Sequence, residues 1–154
     1  MLKKLASYIK DYKKDTILTP IFVILEVVME VIIPLLMARI IDVGIQNGDV
    51  HYILEMGALL IVSAILSLTF GMLSGRFAAK ASSGYAKNLR KAMFHKVQDY
   101  SFENIDKFST SSLVTRMTTD VTNVQMAFQM IIRILVRGPI MMIFALIMVM
   151  TISF

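Results

Sequence analysis

Glu26 and Glu30 stand about one helical turn apart inside a long apolar run, where an ionisable side chain needs a reason to be. A carboxylate at membrane depth is unfavourable unless it faces a cavity or a partner. Counted along a helix from Thr16, the two would lie roughly 15 and 21 Å into the run. Such a pair either lines a path for cationic or polar solutes or is hydrogen-bonded to neighbouring helices. Other reactive chemistry is scarce. The chain has no Cys, so a disulfide, a thiolate metal site and a Cys nucleophile are all excluded. His51 and His95 lie far apart in different contexts and read as solvated or capping residues. No catalytic residue and no metal-ligand set is therefore expected. The 7 Gly include no G-x-x-x-x-G-K-[ST], so this chain alone is not expected to bind ATP through that loop or to hydrolyse it.

A second polar feature is the tract FSTSSLVTRMTTDVTNVQ at 108–125, which lacks Pro and Gly and is dense in Ser and Thr. It sits in a chain that is 56% hydrophobic with a mean hydropathy of +0.69. Soluble chains run at about 45–50% apolar. Three apolar runs carry the excess, at about 16–41, at about 56–75 and from Gly138 onward. Each is long enough for a bilayer core of about 30 Å, which takes roughly 20 helical residues. The first run is too long for a signal peptide, carries two Glu and is followed by no small-residue cleavage site. The third is still apolar at Phe154, which reads as the front part of something longer.

Charge sets the orientation. Residues 1–14 hold five Lys, and 76–137 holds ten Lys and Arg, whereas 42–55 holds Asp42, Asp49 and Glu55 with no Lys or Arg. The positive-inside rule then puts the N-terminus and 76–137 in the cytoplasm and 42–55 outside. The basic residues flank lipid-spanning runs, so the +5 net charge points to a bilayer and not to nucleic acid. Leu2, Leu5, Ala6 and Ile9 share one face of the first fifteen residues with Lys mostly opposite, the pattern of a helix lying in the headgroup plane.

Long helices are expected after the second run, because 52–137 has no Pro and 85–137 has no Gly. Tyr85, Leu89, Met93, Val97 and Tyr100 recur in steps of three and four, extending one helix over about 55–103. Leu113, Met117, Val121, Val124, Phe128, Ile131 and Leu135 form a second stripe that feeds the third run. The two stripes would pair as an antiparallel hairpin below the membrane. Ser109, Thr110, Ser111 and Ser112 suit its tip, since their hydroxyls can cap a helix start. On the second span, Ser63, Ser67, Gly71, Gly75 and Ala79 recur every four residues, a spacing that lets helix backbones approach.

These features resemble the transmembrane half of the ABC exporters of the multidrug and lipid type, with six helices per half. The residues carrying the resemblance are Pro34-Leu35-Leu36, Arg39-Ile40-Ile41-Asp42, Leu89-Arg90-Lys91 with Phe94, and the tip from Phe108 to Val121. A common tip in that family reads Thr-Gly-Asp/Glu-Leu, one residue, Ser-Arg-Leu, two residues, Asp-Val. Here Ser111-Ser112 replaces the Gly-acid pair, Thr115 the Ser and Met117 the second Leu, while Leu113, Arg116 and Asp120 keep their places. Ser109 to Leu113 is similar to one subunit of the heterodimeric exporters. The layout implied is an all-α membrane protein. It has an amphipathic elbow helix over 1–15, then an incomplete exporter transmembrane domain over 16–154. That domain holds three transmembrane helices and a cytoplasmic hairpin at about 76–137.

The resemblance also implies a role. In such exporters the tip is a short coupling helix roughly parallel to the membrane, against a nucleotide-binding domain of the same or a partner chain. ATP with Mg closes two such domains, and the tips carry that motion to the spans. The family places this machinery after six spans, beyond residue 154. Phe108 and Leu113 are then candidate apolar anchors, with Arg116 and Asp120 holding the helix base. A multi-pass protein of the cell membrane with a cytoplasmic N-terminus is expected, joined to a second half of different sequence. The rival from another class is a membrane signalling or scaffold protein, against which the short external link argues.

Overall fold

A computed structural model of the chain describes residues 6–99 and 110–152, and all the secondary structure within them is helical. A 3-10 helix at Ser7–Tyr12 leads into α1, Lys13–Arg39, which a π-helical turn at Ile40–Ile45 closes. The next helix, α2, runs Val50–Gln98 as one element of 49 residues. Helix α3, Thr110–Thr115, passes through a second π-helical turn at Arg116–Asp120 into α4, Val121–Ile152. Three stretches, Ser7–Ile45, Val50–Gln98 and Ser111–Met150, are long and apolar enough to cross a membrane.

Local chemistry accounts for these elements. Asp49 starts α2, its Oδ1 accepting from the Tyr52 backbone N–H at 3.0 Å. With no Pro, α2 then extends for about 74 Å, over twice the bilayer core. Helix α1 continues through Pro20 and Pro34, which helices within membranes tolerate. The outward faces are apolar, with Ile61, Ile65, Ile147 and Met150 exposed, as suits helices long enough to cross a membrane.

Helices α1 and α2 pack antiparallel. Phe22 stacks on Phe77 at 5.4 Å between ring centroids, Val23 and Val27 are fully buried, and Lys80 Nζ reaches Asp15 Oδ1 at 3.2 Å. Helix α4 returns along α2 as the expected antiparallel hairpin. The pairs Arg90–Thr122, Ser82–Gln129 and Tyr85–Phe128 climb one helix while descending the other. Ala78 and Ala81 are fully buried beneath Ile132 and Phe128, so the small side chains of α2 set how closely α4 approaches. Since α2 opposes both, α1 and α4 run parallel.

Two details differ from the sequence expectation. The second stripe turns toward α2 at Val121, Phe128 and Ile132, while Ile131 and Leu135 are exposed. Helical drift explains this: after Phe128 the inward position falls four residues on, not three. The elbow is a 3-10 segment interrupted at Lys10, whose φ is +37°, and not one regular amphipathic helix. Leu2 and Leu5 lie outside the described residues. The elbow is instead tied to α2 by contacts of its own. Asn88 Nδ2 donates to the Tyr8 carbonyl at 2.8 Å, and the Tyr12 ring lies where a Cβ on Gly84 would be.

Candidate functional site

The carboxylates of α1 meet a guanidinium from α4. Arg137 Nη1 donates to Glu26 Oε1 at 3.1 Å, and Nη2 donates to Glu30 Oε1 at 2.6 Å and Oε2 at 2.8 Å. Charge-assisted bonds of this length are the strong kind. The Ser74 hydroxyl stands 3.4 Å from Glu26 Oε2 and is 3.0 Å from the Gly71 carbonyl of its own helix, the shorter of its two acceptors. Gly71 gives the carboxylate its room, because a Cβ there would stand 3.0 Å from Glu26 Oε1. The Glu26 side chain is only 12% exposed, against 37% for Arg137.

The packing also corrects the depth of the pair. Glu26 lies beside Ser74 and Gly71, the last turn of the second apolar run. The first turns of α1 are level with Lys80 and Gly84, beyond that run. Depth counted from Thr16 is therefore too large, and the cluster stands near the edge of the apolar layer that faces the hairpin.

Two clefts open from the cluster. One of about 390 Å³ is bounded by Val23, Glu26, Met130, Arg133, Ile134 and Arg137. The other, of about 500 Å³, is bounded by Glu26, Glu30, Ser67, Gly71, Met72 and Arg133. Arg133 is half-buried, borders both and has no ion-pair partner among the described residues.

The small-residue face divides. Ser63 is buried, its hydroxyl turned to the Leu59 carbonyl at 2.9 Å, and Gly71 receives Glu26. Ser67 borders a cleft, and a Cβ on Gly75 would meet nothing within 4 Å, so Gly75 is not in a packed face here. The closest helix contact runs instead through Ser74, Ala78, Ala81 and Ser82.

At the tip, Phe108 and Ser109 lie outside the described residues, and Thr110 opens α3. The hydroxyls that follow bond back along their own helix. Thr115 donates to the Ser111 carbonyl at 3.0 Å, Thr118 to Val114 at 2.7 Å and Thr122 to Thr118 at 2.9 Å. Such back-bonding competes with the regular ladder and bends helices, and it brackets the π-helical turn at Arg116–Asp120. Leu113 is half-buried and shares a groove with Met93, Val97 and Arg116, while Val114 is the exposed apolar side chain. Asp120 borders the neighbouring groove with Leu89 and Arg116. From Thr110 the tip is continuous with α4, so a separate helix along the membrane plane is not part of the described residues.

The family model for the ABC transporter transmembrane region matches residues 16–154. The chain belongs to that family. Its members' layout accounts for three apolar helices of which the second and third extend together as a hairpin, and it removes the signalling rival. The chain is similar to the uncharacterized ABC transporter ATP-binding protein YfiB of Bacillus subtilis, with 36% identity over 140 residues, 91% of this chain and 24% of that protein. An uncharacterized ABC transporter ATP-binding protein of Mycobacterium tuberculosis is 26% identical over 148 residues, 96% of this chain and 25% of the relative. The ATP-dependent lipid A-core flippase of Albidiferax ferrireducens is 27% identical over 125 residues, 79% of this chain and 21% of the flippase. The chain thus spans about a quarter of the length of the curated relatives it matches.

Within this ABC transmembrane region, the arginines are what sequence reasoning missed. Arg137 directly precedes the third apolar run, at the end of the basic stretch 76–137. A signal was present: Arg133 and Arg137 are four apart on one helix, matching Glu26 and Glu30 four apart on another. Only the parallel packing of α1 and α4 shows that the two pairs share a level.

Proposed function

We propose that this chain is the front part of the transmembrane half of an ATP-driven ABC exporter in the cell membrane, with its N-terminus in the cytoplasm. The observation that carries the proposal is the continuous α2, which links the charge cluster to a hairpin tip tens of ångströms away without a Pro to bend it. Such a lever suits the transfer of motion between a nucleotide-binding domain and the spans. Similarity to a putative export ATP-binding/permease protein of Rickettsia conorii supports the same direction. ATP and Mg would belong to the nucleotide-binding domain of the same or a partner chain. The Ser-rich tip favours a second half of different sequence. Glu26 and Glu30 border the path, held by Arg137, so a preference for cationic cargo no longer follows from the carboxylates alone.

The coupling reading is tested in the full-length transporter by replacing Phe108 and Leu113 with Ala. Interface anchors of this kind contribute about 2 kcal/mol or more each. ATP binding should survive while hydrolysis loses its response to cargo. Unchanged transport and unchanged stimulation in inserted protein would exclude the tip as the coupling element. Orientation has its own test, made simple by a chain without Cys. A cysteine at Asn47 should react with an impermeant thiol reagent on intact cells, and one at Ser109 should not. The reverse pattern would invert the topology.

A further inference from the structure

We propose that the groove between α2 and α4 beyond the apolar layer is filled by the chain's own first residues, with Leu2 and Leu5 as the side chains that enter it. The occupant is the stretch 1–5, which precedes the described residues. This goes beyond the exporter reading and does not depend on it. Register is the first observation. The elbow and the start of α1 meet α2 at three places in step. Asp15 pairs with Lys80 at 3.2 Å, the Tyr12 ring stands against Gly84, and the Tyr8 carbonyl accepts from Asn88 Nδ2 at 2.8 Å. Each four-residue step along α2 is a step of three or four back toward the first residue. The segment therefore follows α2 away from the apolar runs and does not turn across it. At that pace Leu5 and Leu2 come level with the turns of α2 that carry Leu89 and Met93.

The second observation is a continuous groove at that level. Ala6 and Ile9 already wall a cleft with Tyr85, Val124, Phe128 and Ile131. A further groove of about 320 Å³ begins at the same Val124, which is 38% exposed, and continues between Leu89, Met93 and Val121. Third, Leu2, Leu5, Ala6 and Ile9 share one helical face. Ala6 has helical φ and ψ of −61° and −27°, so the same winding carried back points Leu5 and Leu2 where Ala6 and Ile9 point. Lys4 then falls on the opposite face. Arg116 and Asp120 both border the groove and offset each other, so apolar fit and not charge selects the occupant. Level excludes lipid tails: Leu89 lies roughly 22 Å along α2 beyond Ser74, which ends the second apolar run, and the hydrocarbon core stops there. Seated in the groove, the first residues tie α1 to both arms of the hairpin.

The test uses the full-length transporter freed of other cysteines, in phosphatidylcholine nanodiscs. Under mild oxidation, Leu5→Cys paired with Leu89→Cys should crosslink within one chain about tenfold faster than Lys4→Cys paired with Leu89→Cys, because a disulfide forms only between closely placed, facing positions. Leu2→Cys with Met93→Cys repeats the measurement should the first pair be poorly expressed. An intramolecular preference for the leucine positions supports the proposal. Equal rates for the leucine and lysine positions overturn it, and so do crosslinks that form only between two chains. A fluorophore on Leu5→Cys, read for quenching by nitroxide-labelled lipid, then identifies what replaces it. Quenching with equal rates shows a helix lying in the headgroup plane, and equal rates without quenching leave the groove to water or to another protein.

Discussion

The charge cluster and the hairpin tip solve one problem in opposite ways. At the cluster, charged groups bond between helices, with Arg137 of α4 holding Glu26 and Glu30 of α1. At the tip, Thr115 and Thr118 bond within their own helix to carbonyls four residues back. The difference follows from charge as well as solvent, since the Ser63 hydroxyl within the second span also bonds to its own helix. Near lipid an unpaired charge is costly and must find a partner on another helix. Facing water, a hydroxyl gains little from a partner, and bonding to its own backbone leaves the outer surface open for another protein.

The largest expected effect comes from taking the shared partner out of the cluster. Arg137→Met leaves two carboxylates facing each other and should destabilise the purified full-length transporter by about 2–4 kcal/mol, less than a fully buried pair because Arg137 is partly exposed. Adding Glu26→Gln and Glu30→Gln in that background should recover much of the loss. Unfolding curves that show no loss for Arg137→Met would mean that the cluster is as solvated as the tip.

An intermediate effect is expected where the elbow meets α2. Gly84→Ala puts a methyl group into the space held by the Tyr12 ring and should cost about 1–3 kcal/mol as an overpacked contact. Faster proteolysis within the first fifteen residues would accompany it. A neutral result in both assays would show that the elbow rests on lipid and not on α2.

The smallest effect belongs to the tip. Thr118→Val removes an intrahelical back-bond and should stay within about 0.5 kcal/mol, as exposed substitutions do. A loss several times larger, measured in the same way, would reveal a partner outside its own helix and erase the contrast between the two regions.

Much of this molecule was legible from residue order alone. Three apolar runs, the scarcity of Pro and Gly after Tyr52, and stripes at helical spacing define three spans and a long antiparallel hairpin, because hydrophobic period and chain-breaking residues act locally. The family itself was legible for the same reason, in motifs such as Arg39 to Asp42 and Leu113 to Asp120. Tertiary structure decided what depends on level and rotation. Glu26 and Glu30 were visible as a pair, but their partner lies 107 residues away from Glu30, and nothing local says that Arg137 stands at their height. Their true depth emerged only when α1 was set against α2. The close helix contact fell on Ser74, Ala78 and Ala81 and passed Gly75 by, since every face of a membrane helix can be apolar and periodicity then loses its power to pick one. Leu113 and Val114 are adjacent and both apolar, and only the approach of α2 turned the first inward and left the second exposed.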